Sequence, residues 1–503
     1  MDSPSRTPFD PVPETGLPAE ADDAPEPHYD LIGRRNEREK RRLFRTSLAA
    51  AVAAGIYVGV TADVEDPVHR MLGLVIFALS LWPALEWVKT GGSRFPVFEP
   101  MMALCANAYA MPLLQGSRSL AIYTTESITL AALAVVIYQV TAIASYRLTG
   151  GRPARGRFWT ESILNHKAEG YVSYGLVGSS LYFGISAFSR LIPSDVESVL
   201  RAVFSGISIL CTFITCQRWG RGELNRSEQW LFGALIAAQM LIQATSLMLI
   251  GSMTQIGIAL LGYLSAGRNL PLLTVGATFS LLAILHNGKS EMRDQYWSPE
   301  ERRRPTVGQI PSFYVDWISN GLNPPLQDEE EEEDELSASA RLLDRASLMH
   351  MLGMVVEYTP DRQPYLNGET YGYVLPQLIP RQLWPDKPPS HVATNRLSIY
   401  YGLQSEEATV NTTIAFGMPA EAYANFGLLG MAGLGLLWGF GLKKIQILGA
   451  RSPMFSLAGI TMILLTAWSL NAEFTMAVWV SSLFQALIVA LGIPLVLRGI
   501  LGD

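Results

Sequence analysis

The residues best suited to chemistry gather in one polar stretch, 368–430, in the last third of an otherwise strongly apolar chain. The stretch mixes carboxylates, a histidine and cations with tyrosine and tryptophan. Five prolines in its first half exclude a long helix there: Pro376, Pro380, Pro385, Pro388 and Pro389. Charged and aromatic side chains on rigid turns beside membrane spans are typical of a binding site.

Glu421 and His391 are the candidate proton acceptors of this stretch. A carboxylate at the membrane boundary is costly unless it has a role or a partner. Glu421 therefore predicts either a general base toward an acceptor hydroxyl or an ion-pair partner of Arg381 or Arg396. Asn425 follows Glu421 by four residues and shares its helical face. Histidine titrates near neutral pH, so His391 is a second candidate base, with a surface position in a Pro-rich loop as the alternative.

Basic residues around the same stretch predict an anion site. Guanidinium groups bind phosphate through two parallel hydrogen bonds and keep their charge near a membrane. A lipid-linked pyrophosphate carries paired negative charges at that depth, whereas pairing with acidic side chains or anionic head groups is the alternative. The set comprises Lys289, Arg293, Arg341, Arg345, Arg381, Lys387 and Arg396.

Aromatic residues of the stretch predict contacts with sugar rings or with the membrane interface. Tyrosine and tryptophan stack on sugars, but they also gather at membrane–water interfaces because they are amphipathic. Trp384, Tyr371 and Tyr401 are the candidates for the sugar-binding role.

The elements that position these residues are predicted to be membrane helices. The chain has 503 residues, of which 49% are hydrophobic and 17% charged, whereas a soluble domain has about 25% charged residues. We therefore expect an all-α polytopic integral membrane protein with about twelve transmembrane helices. The predicted spans are 47–64, 69–88, 97–114, 124–146, 170–192, 197–216, 228–250, 253–266, 270–286, 421–441, 454–471 and 476–497. The span 253–266 is short and could be broken.

Charge distribution divides the chain into four parts. Residues 1–46 form a disordered cytoplasmic tail that ends in a basic juxtamembrane cluster. Residues 47–286 and 421–503 form the two groups of membrane helices, and 287–420 form one large extracytoplasmic segment. That segment contains an acidic linker, 328–335, and a helix over 338–358 that is interfacial or re-entrant. The excess of cations in the loops on one side places both termini in the cytoplasm.

Two short segments resemble a known family. Residues 379–388, IPRQLWPDKP, resemble the IPR-x-LWP-x-KP signature of bacterial oligosaccharide repeat-unit polymerases, the O-antigen (Wzy-type) and exopolysaccharide polymerases. Residues 419–430, PAEAYANFGLLG, resemble the E-x-Y-x-N-F-G-x-x-G entry of that family into a late span. The resemblance implies a GT-C-like architecture in the bacterial inner membrane. It favours a substrate role for Arg381 and Arg396.

The function that follows from the resemblance is a glycosyltransferase. It would transfer a growing glycan from undecaprenyl pyrophosphate onto a lipid-linked repeat unit, with Glu421, His391 and Arg381 as catalytic candidates and the other residues above as ligand contacts. Cations that neutralise the pyrophosphate make a metal or cofactor unnecessary. The expected partners are the lipid-linked oligosaccharide, the bilayer and a chain-length regulator. The basic residues show no nucleic-acid footprint.

Two alternatives remain open at the level of the sequence. A ligase that moves glycan onto lipid A core or another acceptor has similar chemistry. A flippase or secondary transporter would place ionisable residues at the bilayer midplane in two related halves. Glu86, Glu126 and Glu473 instead lie near span ends, and the polar residues concentrate in one outer segment, which argues against transport. Glu65 and Asp66, after the first span, could form a base or metal site or only mark the outer side.

Overall fold

The computed structural model describes residues 36–92, 94–153, 157–163, 170–189, 191–192, 194–247, 249–269, 271–296, 305–322, 347–379, 383–384, 386–410, 413–450 and 452–501. These residues form helices and connecting turns, with no β-strand among them. The predicted all-α class is confirmed for this part of the chain.

The α-helices follow one another with short connections. In chain order they are α1 (Glu37–Val60), α2 (Pro67–Lys89), α3 (Glu99–Cys105), α4 (Met111–Leu114), α5 (Thr125–Leu148), α6 (Arg157–Thr160), α7 (Gly170–Phe188), α8 (Ser194–Arg221), α9 (Arg226–Ala244) and α10 (Ile250–Ser265). They continue with α11 (Leu272–Asn287), α12 (Lys289–Tyr296), α13 (Ile310–Leu322), α14 (Leu348–Tyr358), α15 (Val374–Gln377), α16 (Val392–Tyr400), α17 (Gly417–Leu448), α18 (Leu457–Ser469) and α19 (Met476–Leu501).

Six helices among the described residues are long and apolar enough to cross a membrane, namely α1, α2, α5, α8, α17 and α19. Four shorter helices, α10, α11, α14 and α18, are also apolar. The weakly predicted span 253–266 corresponds to α10, which has 16 residues. A helix of that length extends about 24 Å, less than the hydrocarbon core of about 30 Å.

The predicted span 97–114 is not one continuous α-helix. It begins at Glu99 and contains a π-helix, Ala106–Ala110, between α3 and α4. Pro112 has no N–H, so it cannot donate the hydrogen bond to the Ala108 carbonyl that an uninterrupted α-helix would contain. π-Helices are rare and occur mostly as single turns of this kind inside α-helices.

The centre of the bundle is α5, which packs most extensively against α17 and also against α2. The helices α5 and α17 run parallel, because Gly435 faces Tyr138 and Gly439 faces Ala142. A Cβ atom at Gly439 would lie 2.2 Å from the Ala142 carbonyl oxygen. Only glycine allows this approach, so Gly435 and Gly439 permit the close packing of α5 against α17.

The helix predicted over 338–358 is described from Ser347 onward. The Ser347 hydroxyl accepts a hydrogen bond from His350 N (3.1 Å) and caps α14. Eight residues of α14 are buried, and the helix packs against α5 and α17. The apolar residues of α14 therefore face protein on nearly all sides, and its interfacial or re-entrant position in the membrane stays a prediction.

Candidate functional site

A break in α17 creates the candidate site. Gly427 has φ 58° and ψ −141°, which are not helical values. The helix thus consists of a first segment, residues 417–426, and a second segment, residues 428–448. The predicted span 421–441 is corrected accordingly, since it begins at Gly417 and does not run straight. All residues from Gly417 to Asn425 are buried, so the first segment is enclosed by protein up to Phe426, which is 44% exposed.

The backbone at the break is paired with a strap formed by residues 365–371. Leu366 N donates to Ala424 O (3.0 Å) and Asn367 N donates to Asn425 O (3.1 Å). The second segment cannot satisfy these carbonyls because the helix ends there. The strap therefore replaces the hydrogen bonds that the break removes.

Asn425 is the centre of the polar network at the break, and its side chain is fully buried. Its Oδ1 accepts a hydrogen bond from Gly368 N (2.9 Å). Its Nδ2 donates to Thr370 Oγ1 (2.8 Å) and to Glu421 O (2.8 Å). The amide thus joins the strap to the first segment of α17 and fixes the position of Glu421 one turn earlier.

Glu421 is also fully buried. Its Oε2 accepts a hydrogen bond from Met476 N (2.7 Å) at the start of α19, where the helix dipole favours a negative charge. Its Oε1 is buried and has no partner that meets hydrogen-bond geometry among the described residues, although the Thr370 hydroxyl is close enough to interact with the same carboxylate. One oxygen is therefore occupied by a structural contact, and the other can accept a proton or a hydrogen bond from a ligand.

Tyr371 lies at the end of the strap, close to Glu421. Its ring stacks on Phe426, with centroids 6.2 Å apart and an interplanar angle of 12°. Burial raises the pKa of the Tyr371 hydroxyl above its ordinary value, and the Glu421 carboxylate contributes to the shift.

Arg396, on α16, forms an ion pair with Glu369 of the strap. Arg396 Nε donates to Glu369 Oε1 (2.6 Å) and an Nη donates to Oε2 (3.2 Å). The guanidinium also lies over the Tyr400 ring, 5.1 Å from its centroid. Hydrogen bonding to Glu369 raises the pKa of Arg396. Both side chains are more than a third exposed, so the pair lies where a solvent-borne or membrane-borne anion can reach it.

Lys387 makes contacts that differ from the predicted ones. Its side chain is 8% exposed, and Nζ donates to Gln377 O (3.1 Å) and Ile379 O (2.9 Å). Gln377 Nε2 donates in return to Pro388 O (3.3 Å). These bonds tie residues 377–379 to 387–389, which flank Arg381 and Trp384 in the sequence. The ammonium therefore bonds two backbone carbonyls in this structure, and its contact with a ligand stays a prediction.

The remaining candidates are dispersed. Arg341, Arg345 and Arg381 lie outside the described residues. Lys289 and Arg293 lie on α12, which packs on α13 within a hydrophobic cluster separate from the one around Glu421.

The aromatic and histidine candidates also differ among themselves. Tyr401 is buried, and its hydroxyl lies 2.8 Å from Thr359 Oγ1. Trp384 is 38% exposed and is therefore the more accessible of these two rings. His391 is exposed and occupies the N-cap position of α16, so it lies at a helix terminus rather than in an unstructured loop.

Asp66 has a structural role, since its Oδ1 accepts a hydrogen bond from Val68 N (2.7 Å) and caps α2.

Three further residues of the site, Gly368, Glu369 and Thr370, were missed at the level of the sequence. They contact positions 27 to 57 residues away, and no periodicity reports such contacts.

Comparison of this chain with protein-family models, with curated proteins and with solved structures finds no match.

Proposed function

We propose that the protein is a glycosyltransferase that polymerises oligosaccharide repeat units carried on undecaprenyl pyrophosphate in the bacterial inner membrane. The main support for the proposal is the buried Glu421 carboxylate, whose Oε1 has no hydrogen-bond partner among the described residues. Asn425 links Glu421 to the strap, and Glu369 of the strap pairs with Arg396. The resemblance of residues 379–388 and 419–430 to oligosaccharide repeat-unit polymerases supports the same activity. The proposed topology has about twelve crossings, as expected for a GT-C-like enzyme, with both termini in the cytoplasm.

The proposed reaction is a single displacement. An acceptor hydroxyl of the lipid-linked repeat unit attacks the anomeric carbon of the growing glycan. The new C–O bond forms as the bond between the anomeric carbon and the pyrophosphate oxygen breaks, so the electron pair leaves with undecaprenyl pyrophosphate. The hydroxyl proton passes to Glu421 Oε1. Inversion at the anomeric carbon follows from attack opposite the leaving group.

Arg396 and Arg381 are assigned to the pyrophosphate in this proposal. A guanidinium binds two phosphate oxygens at once and remains charged at any physiological pH. Stabilising the departing charge in this way lowers the barrier without a metal. Asn425 has a positioning role, because it sets the strap and Glu421 relative to each other.

Substitution of Glu421 tests the proposal. Glu421→Gln keeps an oxygen that can accept from Met476 N, but it removes the basic carboxylate. Because general base catalysis contributes about 10²- to 10⁴-fold, Glu421→Gln should lower the formation of long-chain polymer by at least about 100-fold in a deletion strain, at normal membrane levels of the protein. Normal polymer from Glu421→Gln would refute the assignment of the base.

Glu99 provides the matched control. It is 7% exposed, and its Oε2 also lacks a partner among the described residues, while its Oε1 accepts from the Tyr146 hydroxyl. The same Tyr146 O–H is shared with Gln446 Oε1, which is closer (2.7 Å) and lies near the end of α17, so Glu99 lies at the opposite end of that helix from Glu421. Glu99→Gln should leave polymer formation near normal. An equal loss from both substitutions would show that the effect of Glu421→Gln is not specific to the proposed base.

A further inference from the structure

The strap is fastened to α17 by bonds that close the region of Glu421. Three of its amides, Leu366 N, Asn367 N and Gly368 N, donate to Ala424 O, Asn425 O and Asn425 Oδ1. Thr370 is fully buried, as is Glu421. An acceptor hydroxyl therefore cannot reach Glu421 Oε1 in this conformation, and a catalytic cycle requires part of the surrounding protein to move.

The exposed side of the strap carries the ion pair between Glu369 and Arg396, beside the bonds of Gly368 and Thr370 to Asn425 and the stacking of Tyr371 on Phe426. The two ends of this pair are anchored differently. Arg396 is held independently of Glu369, because its guanidinium lies over the Tyr400 ring and the Tyr400 hydroxyl donates to Pro364 O (2.6 Å). Its helix α16 is also linked to the start of α19, where the hydroxyls of Thr394 and Thr475 lie 2.9 Å apart. Arg396 would thus stay in place if Glu369 left.

We propose that the Glu369–Arg396 pair is a latch, which an anion of the pyrophosphate class opens by displacing Glu369 from Arg396. The Glu369 carboxylate occupies the guanidinium in the two-point manner that phosphate oxygens adopt. A pyrophosphate offers more charge and more oxygens to the same group. Its arrival also repels Glu369, whose neighbours Gly368 and Thr370 are the residues bonded to Asn425.

Opening of the latch would couple donor binding to exposure of the base. Release of Glu369 weakens the hold on the strap, and movement of the strap uncovers Glu421 Oε1. The base would then become accessible after the donor pyrophosphate is bound, which limits wasteful attack by water. This inference rests on the proposed function for its biological meaning, but the latch itself is a binding equilibrium that requires no catalysis.

Hydrogen exchange of the strap tests the latch directly. Purified protein is exposed to deuterium in about 5 mM sodium pyrophosphate, which would largely occupy a site of micromolar affinity, or in sodium chloride at equal ionic strength. Exchange is measured by mass spectrometry in peptides that cover residues 365–371. The strap amides are hydrogen-bonded when the latch is closed, so they exchange faster when it opens. Exposed ion pairs contribute up to about 1 kcal/mol, which corresponds to an increase of about two- to five-fold.

Three variants separate the possible outcomes. Glu369→Ala should exchange as fast without pyrophosphate as the natural protein does with it. Arg396→Gln should exchange fast and should not respond to pyrophosphate. Arg362→Gln removes another exposed arginine, paired with Glu357 at 3.8 Å, and should behave like the natural protein.

The latch is overturned if Glu369→Ala leaves strap exchange unchanged, or if pyrophosphate has no effect on the natural protein beyond that of chloride. These results are independent of polymer formation. A responsive strap combined with normal polymer from Glu421→Gln would retain the latch and reject the base. An unresponsive strap combined with an inactive Glu421→Gln would do the reverse.

Discussion

The hydrogen bonds that Lys387 Nζ donates to Gln377 O and Ile379 O allow us to predict how much the loss of the ammonium destabilises this region. Lys387→Met keeps the aliphatic length of the side chain and removes the ammonium. The substitution leaves Gln377 O and Ile379 O without the donor they have in the natural protein. A hydrogen bond that involves a charged group contributes about 1.5–3 kcal/mol. The total is reduced because methionine avoids the cost of burying an ammonium, so we expect a local destabilisation of about 2–4 kcal/mol.

Limited trypsin digestion of the purified protein measures this destabilisation. Trypsin cleaves after Arg381, because Gln382 follows it, but it does not cleave after Lys387, because Pro388 follows. The substitution therefore removes no cleavage site. When opening is rapid, the cleavage rate follows the open population, and 2–4 kcal/mol corresponds to an increase of roughly 30- to 700-fold. The fragment that begins at Gln382, identified by mass spectrometry, is the signal.

Lys444→Met is the matched control for this experiment. Lys444 Nζ also donates to a backbone carbonyl, Gly150 O (2.9 Å), but near the far end of α17. Its removal should not change cleavage after Arg381. If trypsin cleaves Lys387→Met after Arg381 at the same rate as the natural protein, the ammonium does not hold this region closed. A direct contact of Lys387 with a ligand then becomes the better interpretation. Gln377 still donates to Pro388 O in the variant, which favours the lower part of the expected range.

Two further predictions concern packing and topology. Gly439→Val should lower the unfolding temperature of the detergent-purified protein, since the new Cβ would lie 2.2 Å from Ala142 O and overpacking typically costs about 1–3 kcal/mol. Gly441→Val is the control, because no atom lies within 4 Å of its Cβ position, and it should leave the unfolding temperature unchanged. An equal effect of both substitutions would contradict the packing role of Gly439. Reporter fusions after Asn320 and Asp361 should behave as extracytoplasmic and a fusion after Lys444 as cytoplasmic, because cations flank the inner ends of spans; a cytoplasmic signal at Asn320 would mean that a span before it is misassigned.

The helical class and the long spans could be predicted because they depend on local properties of the sequence. Apolar runs of about 20 residues report a membrane environment directly. The resulting helices α1, α2, α5, α8, α17 and α19 lie where such runs occur. Whether the shorter helices also cross the bilayer remains a prediction, since length and composition alone do not decide it. The burial of α14 could not be predicted, because an amphipathic stripe is the same whether it faces lipid or protein.

The candidate site could be predicted only in part. Polarity within an apolar chain was sufficient to select Glu421, Asn425, Arg396 and Lys387. Their partners were not predictable, because each contact depends on the three-dimensional path of the strap and of the loops. A buried lysine that holds two carbonyls and an exposed lysine that holds a phosphate have the same sequence signature. The site roles of Glu421, His391 and Arg381 therefore stay predictions.

The residue types in the segment Asn425-Phe426-Gly427 can be explained by the break in α17, whatever the function of the protein. A helix that breaks at membrane depth must satisfy its carbonyls within the protein. Gly427 supplies the backbone conformation at φ 58°, and a Cβ there would lie 2.7 Å from the Tyr365 hydroxyl. Leu366 N and Asn367 N donate to the carbonyls that the break leaves unpaired, and the Asn425 side chain adds bonds to the strap. The first segment of α17 ends at this break, and its Glu421 faces the start of α19 instead of lipid. The break that requires the strap therefore also keeps a carboxylate inside the protein, with one oxygen that has no hydrogen-bond partner among the described residues.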